Sequence, residues 1–321
     1  MLNLFLDSTW ANGVALAGIL VAFLVTFLVL KKGNGFLPKD QGREFAHDGK
    51  LSEGKPRGAG FVFIIVFAVV TILFGKFSIE TIIYMLLVVA AMITGYLDDC
   101  AKTPWGEYIK GFLDFVIAVV TAITFINFNG SDVTFAFFGT TITFNPIVYG
   151  ILAVVLIWVS INVTNCTDGV DGLSGTIAII SLATISVVNS IQGNGQSFNY
   201  VIFILCAAIL AYLWFNANPS KLMMGDAGSR AIGLFIAIAI LKTGSPFLYI
   251  PICIVFIIDG GLGLIKVALL RFLKIHILKN TRTPIHDHVR KTIGWSNTQT
   301  VSRFAILQLV ASVIVVYLLL V

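Results

Sequence analysis

Several aspartates of this sequence stand beside glycines or beside one another, next to long apolar runs. Asp98 and Asp99 are adjacent in GYLDDCAK, and Asp226 lies in MMGDAGSR. Asp168 and Asp171 lie three residues apart in NVTNCTDGVDGLSG. Carboxylates close to lipid are costly and usually have a functional partner. Acids, lysines and glycine-rich turns at a membrane surface together favour phosphoryl transfer, which depends mostly on positioning and charge neutralisation. For any one of these aspartates, the alternative is a helix cap or a solvated loop charge.

The pair Asp98 and Asp99 lies at the C-terminal end of a predicted helix, where the helix dipole is already negative. Two carboxylates there repel each other and need a cation. Mg2+ fits this need, because one or two carboxylates are its usual protein ligands. Lys102 and Lys110 follow in the sequence and can hold phosphate oxygens. The pattern therefore predicts a magnesium and phosphate site.

Asp226 precedes the eighth predicted helix in a Gly-Asp-Ala-Gly turn, where free amides favour anions. It is predicted either to cap that helix or to bind Mg2+ beside a diphosphate. His286 and His288 lie in the basic stretch TRTPIHDHVRK, which favours a phosphate-binding surface. The stretch is a poor zinc site, because it lacks a second ligand pair at helical spacing.

The composition places these motifs in a membrane protein. Of 321 residues, 58% are hydrophobic and 12% are charged, about half the charged share of a soluble domain. Crossing a bilayer takes about 20 apolar helical residues. Ten segments approach that length: 10–30, 58–76, 79–97, 110–128, 145–163, 172–190, 199–216, 227–243, 247–272 and 302–321. The prediction is an all-α polytopic integral membrane protein, with residues 1–321 forming a single catalytic domain.

Basic residues lie almost entirely on one side of these segments. In the connecting loops, only Lys76 and Lys242 fall on the other side. Basic loops stay in the cytoplasm, so both termini are predicted to be extracytoplasmic. A net charge of +5 concentrated on one surface suits anionic lipid or an anionic substrate. On the opposite side, FNGSDVTFAFFGTTITFNP alternates around Gly139 and predicts a small β-hairpin.

The ninth segment contains DGGLG at residues 259–263. Glycine at this density predicts a bent or loosened helix, and glycine-mediated helix packing is an equal alternative. Walker A, GxSxG and HExxH patterns do not occur in the sequence. An ion-coupled transporter is the alternative from another functional class. A transporter should hold acids near the midplane, whereas only Asp114 and Asp259 fall well within the predicted spans.

Taken in order, the Asp98-Asp99 pair with Lys102, NCTDGVDGL, MGDAGS and PIHDH resemble the polyprenyl-phosphate N-acetylhexosamine-1-phosphate transferases. The resemblance covers essentially the whole chain. It implies a Mg2+-dependent transferase of the bacterial cytoplasmic membrane, with its active site on the cytoplasmic face. CTDG and PIH favour the branch that joins undecaprenyl phosphate to the sugar phosphate of UDP-N-acetylmuramoyl-pentapeptide. That reaction gives lipid I and UMP, and it begins the membrane stage of peptidoglycan synthesis.

The sister branch, which uses UDP-N-acetylglucosamine, is the nearer alternative. It performs the same chemistry on a different sugar nucleotide. The lipid bilayer is an implied partner, a homodimer is left open, and no nucleic-acid partner is expected.

The resemblance also implies roles for single residues. Asp98 is the proposed base that deprotonates the lipid phosphate, and an older proposal makes an aspartate a covalent nucleophile. Asp226 and Asp99 are the implied Mg2+ ligands, and His286 completes the expected catalytic set. Asp168, Gly169 and Asp171 belong to the segment that helps hold the uridine nucleotide. The full substrate-binding set comprises Lys50, Lys102, Lys110, Asn165, Asp168, Gly169, Asp171, Asn216, Met223 and His288.

Some positions depart from the family pattern. Asp287 replaces the middle histidine of the family's three, so the role of a histidine is not carried over to it. The glycine-rich stretch that begins at residue 54 reads GKPRGAG and looks partly like the sister branch. The functional lysine upstream is assigned to Lys50, with Lys55 as the alternative. Met223 stands where relatives place an aromatic side chain against uracil, and thioether packing would replace it weakly.

Overall fold

Helices make up most of the described part of the chain. The computed structural model describes residues 11–32, 34–42, 52–76, 78–195 and 198–321. In chain order the helices of seven residues or more are α1 (Ala11–Lys32), α2 (Gly60–Phe74), α3 (Ile79–Cys100), α4 (Glu107–Asn129), α5 (Pro146–Thr167), α6 (Leu173–Gln192), α7 (Asn199–Asn216), α8 (Gly225–Lys242), α9 (Pro246–Ile252), α10 (Ile254–Leu273) and α11 (Asn297–Leu320). A shorter helix at Ile285–His288 precedes α11. Between α4 and α5, strands β1 (Asp132–Phe135) and β2 (Thr140–Thr143) form an antiparallel hairpin. The predicted all-α polytopic fold with a small hairpin is confirmed.

Seven helices in the described ranges are long and apolar enough to cross a membrane, and the bent pair α9 and α10 makes eight. Two further predicted segments are helical but fail this test for different reasons. Helix α2 has 15 residues, and α8 carries Asp226, Arg230 and Lys242 within its 18 residues. Ten membrane crossings therefore stay a prediction.

Helix α8 is the centre of the bundle, and every residue in it except the last is buried. It is enclosed mainly by α3, α5 and α2. A helix buried on all sides faces protein rather than lipid, so its charged side chains can find partners. Glycines allow the close approach of its neighbours. A Cβ on Gly95 of α3 would overlap the backbone of Asp226, and one on Gly60 of α2 would overlap Gly228.

The ninth predicted segment is broken rather than continuous. Helices α9 and α10 meet at Cys253 with a bend of 70°. Pro251 lies beside the break and lacks the amide hydrogen that a continuous helix would use. The glycines of DGGLG begin further along, in a π-helical turn at Ile257–Gly261, where Gly260 packs against the backbone of Val163. The bend thus precedes the glycines, which loosen the helix and bring it close to α5.

The hairpin caps one end of the bundle. Asp132 pairs opposite Thr143, and the turn contains Gly139 with φ +62°, a conformation that glycine adopts readily. The Thr134 backbone N–H donates to the carbonyl of Gly244 at 2.8 Å. This bond joins the hairpin to the loop that follows α8.

A polar cluster ties three helices together at this hairpin end. Lys242 Nζ lies 3.0 Å from Glu80 Oε1 in α3 and 2.7 Å from Asn129 Oδ1 in α4. Tyr84 donates to the same glutamate at 2.9 Å. One of the two basic residues predicted on this side therefore has a structural partner.

Replacing Gly95 by alanine should destabilise the bundle, because the added Cβ would overlap the backbone at the start of α8. Overpacking of this kind costs about 1–3 kcal/mol, so we expect a lower thermal midpoint in detergent. Gly111→Ala is the matched control. Gly111 also lies in a helix, but a Cβ there meets nothing within 4 Å, and helix propensity favours alanine. Equal midpoints for the two variants would contradict the close approach of α3 and α8.

Candidate active site

A carboxylate from α3 caps the N-terminus of α8. Asp99 Oδ1 accepts the backbone N–H of Asp226 at 3.1 Å, and Oδ2 accepts that of Ala227 at 3.1 Å. The Asp99 side chain is fully buried. Gly225 has φ +73°, and a Cβ there would overlap the Asp99 carboxylate. An anion at the positive end of the helix dipole satisfies amides that would otherwise be unpaired.

Arg57 connects three carboxylates at the same place. Its Nε lies 2.7 Å from Asp99 Oδ1, and its two terminal nitrogens lie 3.3 Å from Asp226 Oδ1 and 3.3 Å from Asp40 Oδ1. Asp40 also accepts a hydrogen bond from the Ser52 hydroxyl at 2.6 Å. Burial lowers the pKa of Arg57, but the three carboxylates outweigh that effect and raise it above its usual value. Arg57 is therefore a permanent cation within an acidic cluster.

Lys110 supplies a second cation. Its ammonium forms an ion pair with Asp98 and lies 3.2 Å from Asp226 Oδ2. The other oxygen of Asp98 accepts the backbone N–H of Trp105 at 2.7 Å. The adjacent carboxylates that were predicted to need a cation thus have Arg57 and Lys110 beside them.

A buried ion pair holds Lys110 in place from behind. Arg230 of α8 pairs with Asp114 of α4, and both side chains are almost completely buried. Arg230 also donates to the backbone carbonyl of Lys110 at 3.0 Å. Asp114, one of the two acids within the predicted spans, therefore has a buried partner in the bundle.

Asp226 and Arg57 form part of a polar cleft at the end of the bundle opposite the hairpin. The cleft is also lined by Asp40, Ser52, Lys55, Asn165, Asp168, Gly169, Val170, Asp171, Asn216, Met223, Met224, Gly225, His286, Asp287 and Arg290. It combines carboxylates, basic side chains and close-packed glycines. Such a lining suits a polyanionic ligand accompanied by a cation.

Asn216 joins two loops of the cleft. Its Oδ1 accepts the backbone N–H of Gly172 at 2.8 Å, and its Nδ2 donates to the carbonyl of Leu222 at 2.9 Å. Asp171 strengthens the same junction by accepting the backbone N–H of Ser220 at 3.2 Å. Both ends of the Asn216 amide are thus engaged with backbone, so its contribution here is to hold the loops.

His286 is held by a carboxylate from the ninth predicted segment. Asp259 Oδ1 accepts the His286 backbone N–H at 2.7 Å, and Oδ2 lies 2.8 Å from the ring Nδ1. Both residues are buried. The imidazole Nε2 lies against Gly169, where a Cβ would overlap it. The second acid that the transporter alternative depended on is therefore a partner of a cleft histidine.

Asp287, which stands where the family has a histidine, forms ion pairs with two basic residues. It lies 2.8 Å from Arg290 and 2.9 Å from Lys291. Burial raises the pKa of Asp287, but hydrogen bonds from these two residues more than offset it, so the pKa lies below its usual value. Asp287 is therefore an anion at neutral pH. Arg290 also donates to the backbone carbonyl of Gly169 at 3.3 Å.

The structure brings much of the predicted site to this cleft. Asn165, Asp168, Gly169, Asp171, Asn216, Met223, Asp226 and His286 line it. Asp98, Asp99 and Lys110 are not part of the cleft lining, but they belong to the network of ion pairs that includes Asp226 and Arg57.

Other predicted residues lie elsewhere. Lys102 is exposed, and His288 Nδ1 accepts the Arg282 backbone N–H at 3.4 Å, so neither is brought to the lining. Lys50 lies outside the described residues, whereas the alternative, Lys55, lines the cleft and lies 3.2 Å from the Ser220 hydroxyl.

Sequence reasoning did not assign Asp40, Ser52, Arg57, Asp287 or Arg290 to the site. A signal for Arg57 existed, because it lies in GKPRGAG, one of the stretches that depart from the family pattern. For Asp40 and Ser52 no local pattern pointed to the site.

Comparison with known proteins shows the family. The profile of glycosyl transferase family 4 matches residues 81–244. The chain belongs to this family. Curated relatives are named phospho-N-acetylmuramoyl-pentapeptide-transferase. The protein of Treponema pallidum strain Nichols is 41% identical over 304 residues, which cover 89% of this chain and 84% of the relative. That of Dictyoglomus turgidum is 30% identical over 297 residues, which cover 91% and 94%. That of Wolbachia from Brugia malayi is 30% identical over 274 residues, which cover 81% and 83%.

Membership in glycosyl transferase family 4, together with these relatives, confirms the resemblance to the polyprenyl-phosphate N-acetylhexosamine-1-phosphate transferases that the four motifs indicated. It also confirms a phospho-sugar transferase embedded in the membrane. The roles of single residues stay predictions.

The donor set of this family 4 chain fits a magnesium ion at Asp226. Within the described residues, no three His, Cys, Asp or Glu side chains converge on one point. Mg2+, however, is usually held by one or two carboxylates, and substrate phosphates complete its shell. Asp226 lines the cleft and meets this requirement. Its two oxygens also contact Arg57 and Lys110. The second predicted ligand, Asp99, has its oxygens engaged by two amides and by Arg57.

Replacing Arg57 by glutamine should lower both stability and turnover. The change leaves Asp99 buried beside Asp226 without its strongest partner, and breaking a buried ion pair costs about 3 kcal/mol. We expect a clear fall in the thermal midpoint and a loss of turnover of about 100-fold, the scale of removing one charge-stabilising donor. Arg271→Gln is the control, since Arg271 pairs with the exposed Glu107. If Arg57→Gln behaved like that control, the acidic cluster would not depend on Arg57.

Proposed function

We propose that this chain transfers phospho-N-acetylmuramoyl-pentapeptide from its UDP derivative to undecaprenyl phosphate, forming lipid I and UMP. The observation that carries the proposal is the grouping of Asp226 with Arg57 and Lys110 beside the loop at residues 168–172. A diphosphate needs cations and a metal ligand, and a nucleotide needs polar side chains and close backbone approach. Both sets of groups meet in one cleft. The names of the curated relatives support the muramoyl substrate.

The reaction is a displacement at the phosphorus that carries the sugar. An oxygen of the lipid phosphate forms a bond to that phosphorus, and the bond from the phosphorus to the UMP oxygen breaks. Negative charge spreads over the phosphate oxygens in such a transition state. Arg57 lines the cleft at Asp226 and is positioned to contact those oxygens. Lys110, directly behind Asp226, adds positive charge to the same region.

Asp226 would hold the Mg2+ ion in this scheme. When bound, the ion would supply positive charge against the negative charge that develops on the phosphate oxygens. Arg57 and Lys110 share the Asp226 carboxylate in the described structure. We propose that they balance its charge before substrate binds and hold the carboxylate in the cleft, where it would bind the cation.

Asp98 stays the predicted base. Its carboxylate lies behind Asp226 and is paired with Lys110. A proton taken from the lipid phosphate would therefore reach a carboxylate that already has an ammonium beside it.

The nucleotide is proposed to bind at the other half of the cleft. Asp168 and Asp171 follow α5 and line this half, and Asp171 is oriented by its bond from the Ser220 amide. Gly169 allows a ligand to approach the backbone closely. Met223 provides an apolar surface against which uracil would pack.

The cleft is proposed to open on the cytoplasmic face of the bacterial inner membrane. It lies at the end of the bundle where the basic residues collect, and such residues are retained in the cytoplasm. The hairpin lies at the other end. UDP-sugars are water-soluble and the lipid phosphate lies at the membrane surface, so the interface is where both substrates meet.

UMP release by the purified protein tests the proposal. The protein is incubated in detergent with undecaprenyl phosphate and Mg2+, and the two UDP-sugars are supplied separately. We expect turnover with UDP-N-acetylmuramoyl-pentapeptide alone, lost in EDTA and restored by Mg2+. Turnover with UDP-N-acetylglucosamine instead would move the chain to the sister branch. Activity with neither would refute the transferase proposal.

Replacing Asp226 by asparagine should abolish turnover and weaken metal binding, because the amide retains the shape but not the charge of the ligand. Binding is measured separately by the electron paramagnetic resonance of Mn2+ in the presence of the sugar nucleotide. Asp132→Asn in the hairpin is the control, and it should change neither quantity. An Asp226→Asn protein with normal Mn2+ affinity would remove this residue from the metal site.

A further inference from the structure

Asp259 is a buried acid in the ninth predicted segment that the proposed chemistry does not use. It lies in the π-helical turn at Ile257–Gly261 of α10 and is 1% exposed. Turns of this kind often occur at functional sites, because they redirect a side chain out of the regular helical pattern. Gly260 follows and packs on the backbone of α5, which fixes the turn against the core.

The Asp259 carboxylate contacts His286 twice. One oxygen accepts the backbone N–H at 2.7 Å, and the other lies 2.8 Å from the ring Nδ1. A contact with the backbone alone would hold the chain at residue 286 but leave the imidazole free to rotate. The second contact fixes the plane of the ring as well.

The pairing determines which ring nitrogen is available. An ionised carboxylate only accepts hydrogen bonds, so a neutral imidazole must carry its hydrogen on Nδ1. Nε2 then has the lone pair. Nε2 lies so close to Gly169 that a Cβ at that position would overlap it, and both residues line the cleft. The lone pair is thereby directed to the half of the cleft that contains Asp168 and Asp171.

We propose that Asp259 is a positioning residue for His286, holding the imidazole in the tautomer that presents Nε2 to the cleft as a hydrogen-bond and proton acceptor. The inference rests on the proposed function of the cleft. Asp259 itself touches His286 rather than the cleft. Its effect on the reaction therefore has to pass through the histidine.

A double-mutant cycle tests this dependence. Asp259→Asn, His286→Ala and the double variant are compared with the unchanged chain for kcat and KM with the muramoyl nucleotide. We expect Asp259→Asn to lower kcat about 10- to 100-fold, the usual effect of losing a group that orients a functional histidine. In the His286→Ala background, the same change should alter kcat by less than about twofold, because the group it orients is already absent.

Glu80→Gln is the matched control. Glu80 is a partly buried acid tied to Lys242 at the hairpin end of the bundle, far along α3 from the cleft. It should leave kcat unchanged even if it lowers the thermal midpoint. If Asp259→Asn lowered kcat by the same factor with and without His286, the residue would act only on stability and the proposal would be overturned.

A second variant guards against a failure of Asp259→Asn to fold. Asp259→Glu retains the buried charge but moves the carboxylate by one methylene, and the same cycle with His286→Ala applies to it. The expected result is a smaller loss of kcat that again disappears without His286. A loss that persisted would contradict positioning through the ring.

Chemical modification separates this inference from the proposed function. Diethyl pyrocarbonate reacts with an unprotonated imidazole nitrogen, and peptide mass spectrometry reports the rate at His286. The rate should fall in Asp259→Asn, whose amide can donate to Nδ1 and so place the hydrogen on Nε2. This measurement needs no turnover, so it decides the inference even for a chain inactive with both UDP-sugars. An unchanged rate would overturn the inference.

Discussion

The rest of the site depends on the hydrogen bonds that the first amides of α8 donate to Asp99. Helix α8 is buried almost throughout, so water does not reach its N-terminal amides freely and a protein group must satisfy them. A carboxylate from α3 does so, and the absence of a side chain at Gly225 and Gly95 lets the two helices approach closely enough. The position of α3 therefore fixes Asp98, Asp99 and Asp226 relative to one another.

Capping by a carboxylate brings three acidic side chains together, and two cations neutralise their repulsion. Asp98, Asp99 and Asp226 would repel one another in a poorly hydrated site. Arg57 and Lys110 each touch two of these three carboxylates. The same cations lie where we propose that the phosphates bind. Stability and chemistry thus depend on one balanced cluster, and its members cannot be altered independently.

The two halves of the cleft are built by different means. The half proposed for phosphate is formed around a helix terminus and ion pairs. The half proposed for the nucleotide is formed by loops that Asn216 and Asp171 tie to backbone amides, together with His286, which Asp259 contacts from the broken ninth span. Partly buried loop backbone needs such side-chain partners, because unpaired polar backbone groups are costly away from water.

The sequence by itself determined the membrane class, the ten helical segments, the hairpin and the aspartate motifs, because hydrophobic length and short spacings are local properties. Only the tertiary structure decided that Asp99 caps α8 and that Arg57 belongs to the site, since Arg57 and Asp226 are 169 positions apart in the chain. It also separated Lys102 and His288 from the cleft, although each is close in sequence to residues of the site. Local pattern identifies which residues carry chemistry, whereas packing around a buried helix decides which of them meet.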